Sequence, residues 1–146
     1  MKDIISHIYK DATGQWKIQT NAEHSNNVAK LARSFADELG MGMWGYVLGM
    51  LHDKGKESDD FQSYIRKESG YDYEAKCPLE HNHAFVGGII AKSIYGKGSE
   101  SLLCNQIISH HSGLHDYCQI EETLKKDIPS DVNRCVEKIH LNRPPF

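Results

Sequence analysis

The feature that most limits what this chain can fold into is the spacing of its histidines. Five histidines and one aspartate, all of them possible metal ligands, recur in this order: His24, His52, Asp53, His83, His110 and His111. They lie at the ends of apolar-patterned segments, so folding is expected to bring them together in a half-buried place. Because unpaired imidazoles are costly to bury against one another, we expect a shared cation to bind them.

Imidazole nitrogens combined with one carboxylate suit Mn, Fe, Co, Ni or Zn, and suit Mg or Ca poorly. Such a site turns bound water into hydroxide near neutral pH, which points to metal-assisted hydrolysis. The Asp53 carboxylate is able to bridge two cations, as two-metal phosphoesterases require. Lys56 follows closely and is expected to reach a phosphate oxygen or to orient the attacking water. Any one of these histidines alone would be an ordinary core or surface residue; the joint pattern predicts the metal centre.

Composition sets the broad class. The chain has 146 residues, enough for one domain with a core, and its net charge of -3 gives no general basic signal for nucleic acid. Its four cysteines form no C-x-x-C pair, which favours reduced thiols in the cytoplasm over a disulfide framework. No segment approaches the roughly 20 apolar residues that span a bilayer, so we expect a cytoplasmic protein without membrane contact.

Apolar periodicity predicts a compact all-α fold. Thr20 and Glu23 have the spacing of a capping box that opens a helix. This helix should end at Gly40, and its inward stripe should contain Val28, Leu31, Ala32, Phe35, Ala36 and Leu39. Further helices are expected over about 43–53, 61–65, 80–95 and 99–111. One or two polar helices, interrupted at Pro129, are expected over 121–141, and no segment shows the alternation of a strand.

Three other polar positions carry weaker signals. His7 has no supporting pattern of its own. His81 is expected on the face of its helix nearly opposite His83, at the surface. The pair Lys125-Lys126 is expected to be an ordinary exposed pair of charges unless a partner binds it.

Together, the motifs resemble the HD phosphohydrolase superfamily of helical, metal-dependent phosphoesterases. The relevant stretches are LHDKGK at 51–56, DDFQSYI at 59–65, HAFVGG at 83–88 and ISHHSGL at 108–114. The early SHI at 6–8 followed by EH at 23–24 also fits. In detail these stretches are similar to the HD nuclease domain of the CRISPR-associated helicase-nuclease of type I interference systems. The resemblance covers roughly residues 5–115.

This resemblance implies a hydrolase in antiviral defence, a nuclease that cuts single-stranded DNA with one or two divalent transition metals, Mn, Fe, Co or Ni. It implies two partners: a helicase, in the same or another protein, and a CRISPR surveillance complex. By the same analogy one metal would bind His24, His52 and Asp53. The second would bind Asp53, His83, His110 and His111, and Lys56 would face the scissile phosphate.

The chain departs from the family pattern at one ligand. The resemblance implies a final Asp well after the tandem histidines, and Asp127 and Asp131 come too early for it. Residues 1–146 are therefore expected to be a single HD nuclease domain that stops before this ligand. Two alternatives stay open: an HD enzyme acting on a dNTP, a cyclic nucleotide or an alarmone, and a metal-stabilised module that is inactive as a fragment.

Overall fold

The computed structural model describes residues 3–79 and 82–143. An antiparallel hairpin, β1 (Ile5–Lys10) and β2 (Trp16–Thr20), precedes six helices. The helices are α1 (Asn21–Asp37), α2 (Gly42–Leu51), α3 (Asp59–Glu68), α4 (Ala84–Tyr95), α5 (Asn105–Ile108) and α6 (Tyr117–Thr123). A 3-10 turn, Lys54–Glu57, joins α2 to α3, and a π turn, Glu100–Cys104, leads into α5. The predicted helical class is confirmed.

The hairpin contradicts the expectation that the chain has no strands. Its alternation is weak because half of β1 is exposed and the pairing is irregular between Ile5 and His7. The turn does have a sequence signal. The Asp11 side chain accepts hydrogen bonds from the amides of Thr13 and Gln15, and Gly14 has a φ of 82°. Aspartate followed by glycine in such a loop is typical of a hairpin turn.

Helix α1 begins as predicted, but it buries a different face. The Thr20 side chain caps the helix by accepting a hydrogen bond from the Glu23 amide at 3.2 Å. The expected inward stripe is wrong in its large members, because Leu31, Phe35 and Leu39 are 55%, 70% and 67% exposed.

The small residues of α1 explain why its buried face differs from the expected one. Its buried residues are Asn21, Ser25 and Ala29, which lie on one face. The partner is α2, where a Cβ on Gly49 would collide with the Ala29 backbone. The two helices therefore approach too closely for a leucine or phenylalanine between them.

The core lies between α2, α4, α5 and α6. Its most buried members include Leu51, Val86, Ile90, Leu103 and Ile107. Burying one such side chain contributes about 1.5–3 kcal/mol. The predicted start of α4, at Glu80 and His81, lies outside the described residues, and α4 begins at Ala84.

The expectation of one or two polar helices over 121–141 is mostly wrong. Helix α6 begins earlier, after a capping box formed by Asp116 and Gln119, and it ends at Thr123. Residues 128–143 run irregularly along the core, against which Val132, Val136 and Ile139 pack. The spacing of these three residues is also that of one face of a helix. Here an irregular segment places them against the core instead. In the described part of the chain no helix is both long and apolar enough to span a bilayer.

Candidate metal centre

The predicted ligand residues come from the ends of four helices and meet beside the hairpin: His24, His52, Asp53, His83, His110 and His111. His110 and His111 lie in the turn after α5, beyond the end of the helix expected to carry them. Gly55 permits the close approach of α4, because a Cβ there would collide with the backbone of His83. This contact brings His83 to the turn that carries Lys56.

Asp53 occupies the middle of the cluster, and its two carboxylate oxygens face different histidines. Its Oδ2 lies 3.1 Å from His24 Nε2 and 3.2 Å from His52 Nε2. Its Oδ1 lies 3.3 Å from both His83 Nε2 and His110 Nε2. The residue is only 2% exposed. A carboxylate with ligands on both sides has the arrangement needed to bridge two cations.

Backbone carbonyls orient two of these rings. His52 Nδ1 is 2.8 Å from the Gly49 carbonyl oxygen, and His110 Nδ1 is 2.6 Å from that of Ile107. A carbonyl oxygen only accepts, so each Nδ1 carries the proton and donates it. Each Nε2 then turns a lone pair toward Asp53, the tautomer that metal-binding histidines adopt.

Two close pairs of ring nitrogens reinforce this conclusion. His24 Nδ1 lies 3.3 Å from Gln19 Oε1, and its Nε2 lies 3.1 Å from His52 Nε2. On the other side, His83 Nε2 and His111 Nε2 are 3.0 Å apart. When His24 donates to Gln19, two lone pairs face each other across the first of these gaps. A cation between them removes the repulsion.

The donor set fits divalent transition metals. Asp53 Oδ1 and His110 Nε2 are buried without a hydrogen-bond partner, and a buried polar atom left in this way is costly. The possible ligand atoms form two groups, and within each group all atoms lie within 4.8 Å of one another. One group comprises Asp53, His83, His110 and His111. The other comprises His7, His24 and Asp53. Mixed imidazole and carboxylate donors match Mn, Fe, Co, Ni or Zn. The individual ligand roles stay predictions.

Electrostatics keep Asp53 ionised. Burial by itself raises the pKa of this carboxyl, but interactions with His110, His52, His83 and Lys56 outweigh it. The net effect holds the pKa far below its usual range. Asp53 is therefore a carboxylate at any pH at which the protein would act.

The same burial keeps neighbouring rings neutral. It is the largest cause that lowers the pKa of His7, His24 and His111 from 6.5. The nearby charge of Lys56 lowers the pKa of His7 further. Neutral imidazole is the form that binds metal.

Lys56 points into the cluster, where it is 5% exposed. Its Nζ lies 2.8 Å from Asp53 Oδ2 and 3.3 Å from Ser6 Oγ. This buried ion pair holds Asp53 in place. That Lys56 also faces a scissile phosphate stays a prediction.

Reasoning from residue patterns missed His7. The hairpin brings its ring to 4.5 Å from the His24 ring, centroid to centroid, and its ligand atom groups with those of His24 and Asp53. The only sequence signal was the Ser6-His7 element of the family resemblance. Asp131 is engaged elsewhere, since its Oδ2 accepts a hydrogen bond from the Asp59 amide at 2.5 Å.

Gln62, from the DDFQ stretch, connects the hairpin to the metal centre. Its side chain donates to the carbonyl oxygens of Ile5 at 2.8 Å and Lys56 at 2.7 Å. It also accepts from the Ile5 amide at 2.9 Å. The neighbouring Phe61 ring packs against the His83 ring, with 4.7 Å between the ring centroids. This stretch therefore positions ligands without being one.

A helical fold that gathers histidines around one central aspartate defines a metal-dependent phosphohydrolase. The family model for the HD domain matches residues 21–139, and the chain belongs to this family. The predicted superfamily is thereby confirmed. No curated protein matches the chain.

Proposed function

We propose that this HD domain is a nuclease that hydrolyses single-stranded DNA, as the nuclease domain of a type I CRISPR interference system. One observation carries the proposal: the two oxygens of Asp53 face separate sets of histidines, His24 and His52 on one side and His83 and His110 on the other. This arrangement suits a two-metal centre for phosphodiester hydrolysis.

The residues divide the work as follows. When bound, two metals supply an activated water and neutralise charge that develops on the phosphate. His24 and His52, with His7, would hold one of them, and His83, His110 and His111 the other. Asp53 would be a ligand shared by both. Lys56 keeps that carboxylate oriented through its 2.8 Å ion pair, and a fixed ligand costs less to organise during the reaction.

Openings around the cluster favour a polymer as substrate. A cavity of about 320 Å³ borders His7 on the hairpin side. A larger one, of about 1040 Å³, borders His83. A polymer would be able to use both cavities, whereas a free nucleotide would need only one of them. Action in the cytoplasm, beside a helicase and a surveillance complex, belongs to the same proposal.

The test is a nuclease assay on circular single-stranded DNA. The protein is stripped with chelator and resupplied with Mn, Co, Ni or Mg, next to Asp53→Ala. Asp37→Ala is the matched control, because this carboxylate is exposed on α1 and pairs only with Arg33 among the described residues. We expect cutting with Mn, Co or Ni that Asp53→Ala loses by a factor of at least about 1000, with helical content retained.

Three results would contradict the proposal. If Asp53→Ala still cuts DNA, the metal centre around Asp53 is not the active site. Hydrolysis of dNTPs, cyclic nucleotides or an alarmone, without cutting of DNA, would make the chain a nucleotide phosphohydrolase. Bound metal with no activity toward either substrate class would identify a metal-stabilised module.

A further inference from the structure

Lys125 and Lys126 are adjacent, but the structure gives them different surroundings. Leu124, the C-cap residue of α6, is buried in the core and fixes the chain just before them. Lys126 Nζ lies 5.3 Å from the centroid of the Phe85 ring. Among the described residues, Lys126 lines two cavities and Lys125 lines neither of them. The pair is therefore not two equivalent surface charges.

The two cavities meet at Phe85 and Lys126, and each borders the metal centre. The smaller, of about 310 Å³, borders His111. The larger, of about 1040 Å³, borders His83. Asn82 lines both. A group bound beside Lys126 would consequently lie next to the histidines that face Asp53 Oδ1.

Charge separates the two cavities. The larger contains the carboxylates of Asp60 and Asp127, which repel phosphate. The described lining of the smaller has no carboxylate, and Lys126 lines it together with Ser112 and His115. The side chains of Ser112 and His115 already contact each other at 3.4 Å, so the charge of Lys126 provides the attraction for a phosphate. The Lys126 ammonium lies over the Phe85 ring, and the exposed part of this half-buried ring is able to contact a nucleoside.

We infer that the smaller cavity binds the phosphate adjacent to the scissile phosphate of a single-stranded nucleic acid. Lys126 pairs with that phosphate, and Phe85 contacts the attached nucleoside. Both act as positioning residues, because neither touches the reacting atoms. The inference rests on the proposed function, since it names how the same site aligns its polymer.

The first test measures binding without catalysis. Anisotropy of a fluorescent oligo-dT is followed in chelator, for the wild-type chain, Lys126→Ala and the matched control Lys125→Ala. We expect Lys126→Ala to raise Kd about fivefold. It should also reduce the slope of log K against log salt by about 0.7, the value for one phosphate contact on a single strand. Lys125→Ala should match the wild type, and Lys126→Arg should restore binding.

The second variant tests the ring. Phe85→Leu keeps an apolar side chain against the core, so the melting temperature should stay close to that of the wild type. We expect Kd for oligo-dT to rise at least about fivefold, because the contact between the ring and the nucleoside is lost. In the metal-loaded protein, each of Lys126→Ala and Phe85→Leu should raise KM by more than it lowers kcat.

Equal Kd and equal salt slope for Lys126→Ala and Lys125→Ala would overturn the inference. So would wild-type binding by Phe85→Leu. These outcomes are distinguishable from failure of the proposed function. A chain that cuts no DNA but loses oligonucleotide binding in Lys126→Ala would keep this binding site and lose its nuclease assignment.

Discussion

Asp53 has two sides that hold similar ligands in different electrostatic surroundings. On the Oδ2 side lie His7, His24 and His52, together with the Lys56 ammonium at 2.8 Å. On the Oδ1 side lie three histidines, His83, His110 and His111, whereas the close contact of the Lys56 ammonium is with Oδ2.

The comparison shows that one side is partly neutralised without metal and the other is not. Two buried atoms of the metal centre have no hydrogen-bond partner, Asp53 Oδ1 and His110 Nε2, and both belong to the Oδ1 side. On the Oδ2 side a metal must share the carboxylate with Lys56 and is repelled by its charge. We therefore expect the tighter metal site on the Oδ1 side.

The largest expected effect comes from removing one ligand on each side. His110→Ala should lower the metal affinity of the tighter site by at least about 100-fold. Loss of a residue that only hydrogen-bonds to a metal ligand already lowers affinity by up to about 100-fold. His52→Ala should leave that site filled and empty the weaker one. Metal per chain is measured after equilibrium dialysis against Co. Equal losses in the two variants would contradict the comparison.

A smaller effect is expected from Lys56→Met, which keeps the length of the side chain and removes its charge. The weaker metal site should then bind about tenfold more tightly, because the repelling ammonium is gone. Turnover should nevertheless fall, since Asp53 loses its 2.8 Å partner. Calorimetric titration with Mn measures both sites.

Lys54→Met is the matched control for this change. It removes a lysine from the same turn, one whose ammonium lies 2.5 Å from Glu57 and not beside Asp53. If Lys56→Met leaves the weaker site unchanged while Lys54→Met strengthens it, the ammonium is not what separates the two sides.

The smallest effect is a gradual dependence of stability on pH, shared by both sides. Burial lowers the pKa of His7, His24 and His111 below 6.5 in the folded chain. As the pH falls past about 6.5, the unfolded state takes up protons first, and the free energy of unfolding decreases. Metal should also be released toward pH 5, because protonated imidazole does not bind it.

Thermal unfolding between pH 7.5 and about 5, with and without Mn, measures both consequences. The stabilisation by Mn should disappear over this range. A metal-dependent increase in melting temperature that is unchanged at pH 5 would show that carboxylates, and not imidazoles, dominate binding.

Helices α1 and α4 show how far sequence patterns reached. The start of α1 was predictable because a cap is local, and the Thr20 side chain needs only the Glu23 amide three residues on. Its buried face was not, because close packing at Gly49 depends on a helix that is remote in sequence. Helix α4 was expected over 80–95, and it buries Val86 and Ile90, since a helix surrounded by the core buries its large residues.

The sequence by itself determined the candidate ligands and their order, with the exception of His7, because imidazole and carboxylate chemistry does not depend on the fold. It also determined the helical class, through local caps and periodicity. Only the tertiary structure decided that the two oxygens of Asp53 face opposite ways, that His7 joins the cluster, and that Lys56 pairs with Oδ2. Those outcomes depend on the angles at which distant segments meet, and no pattern within one segment records them.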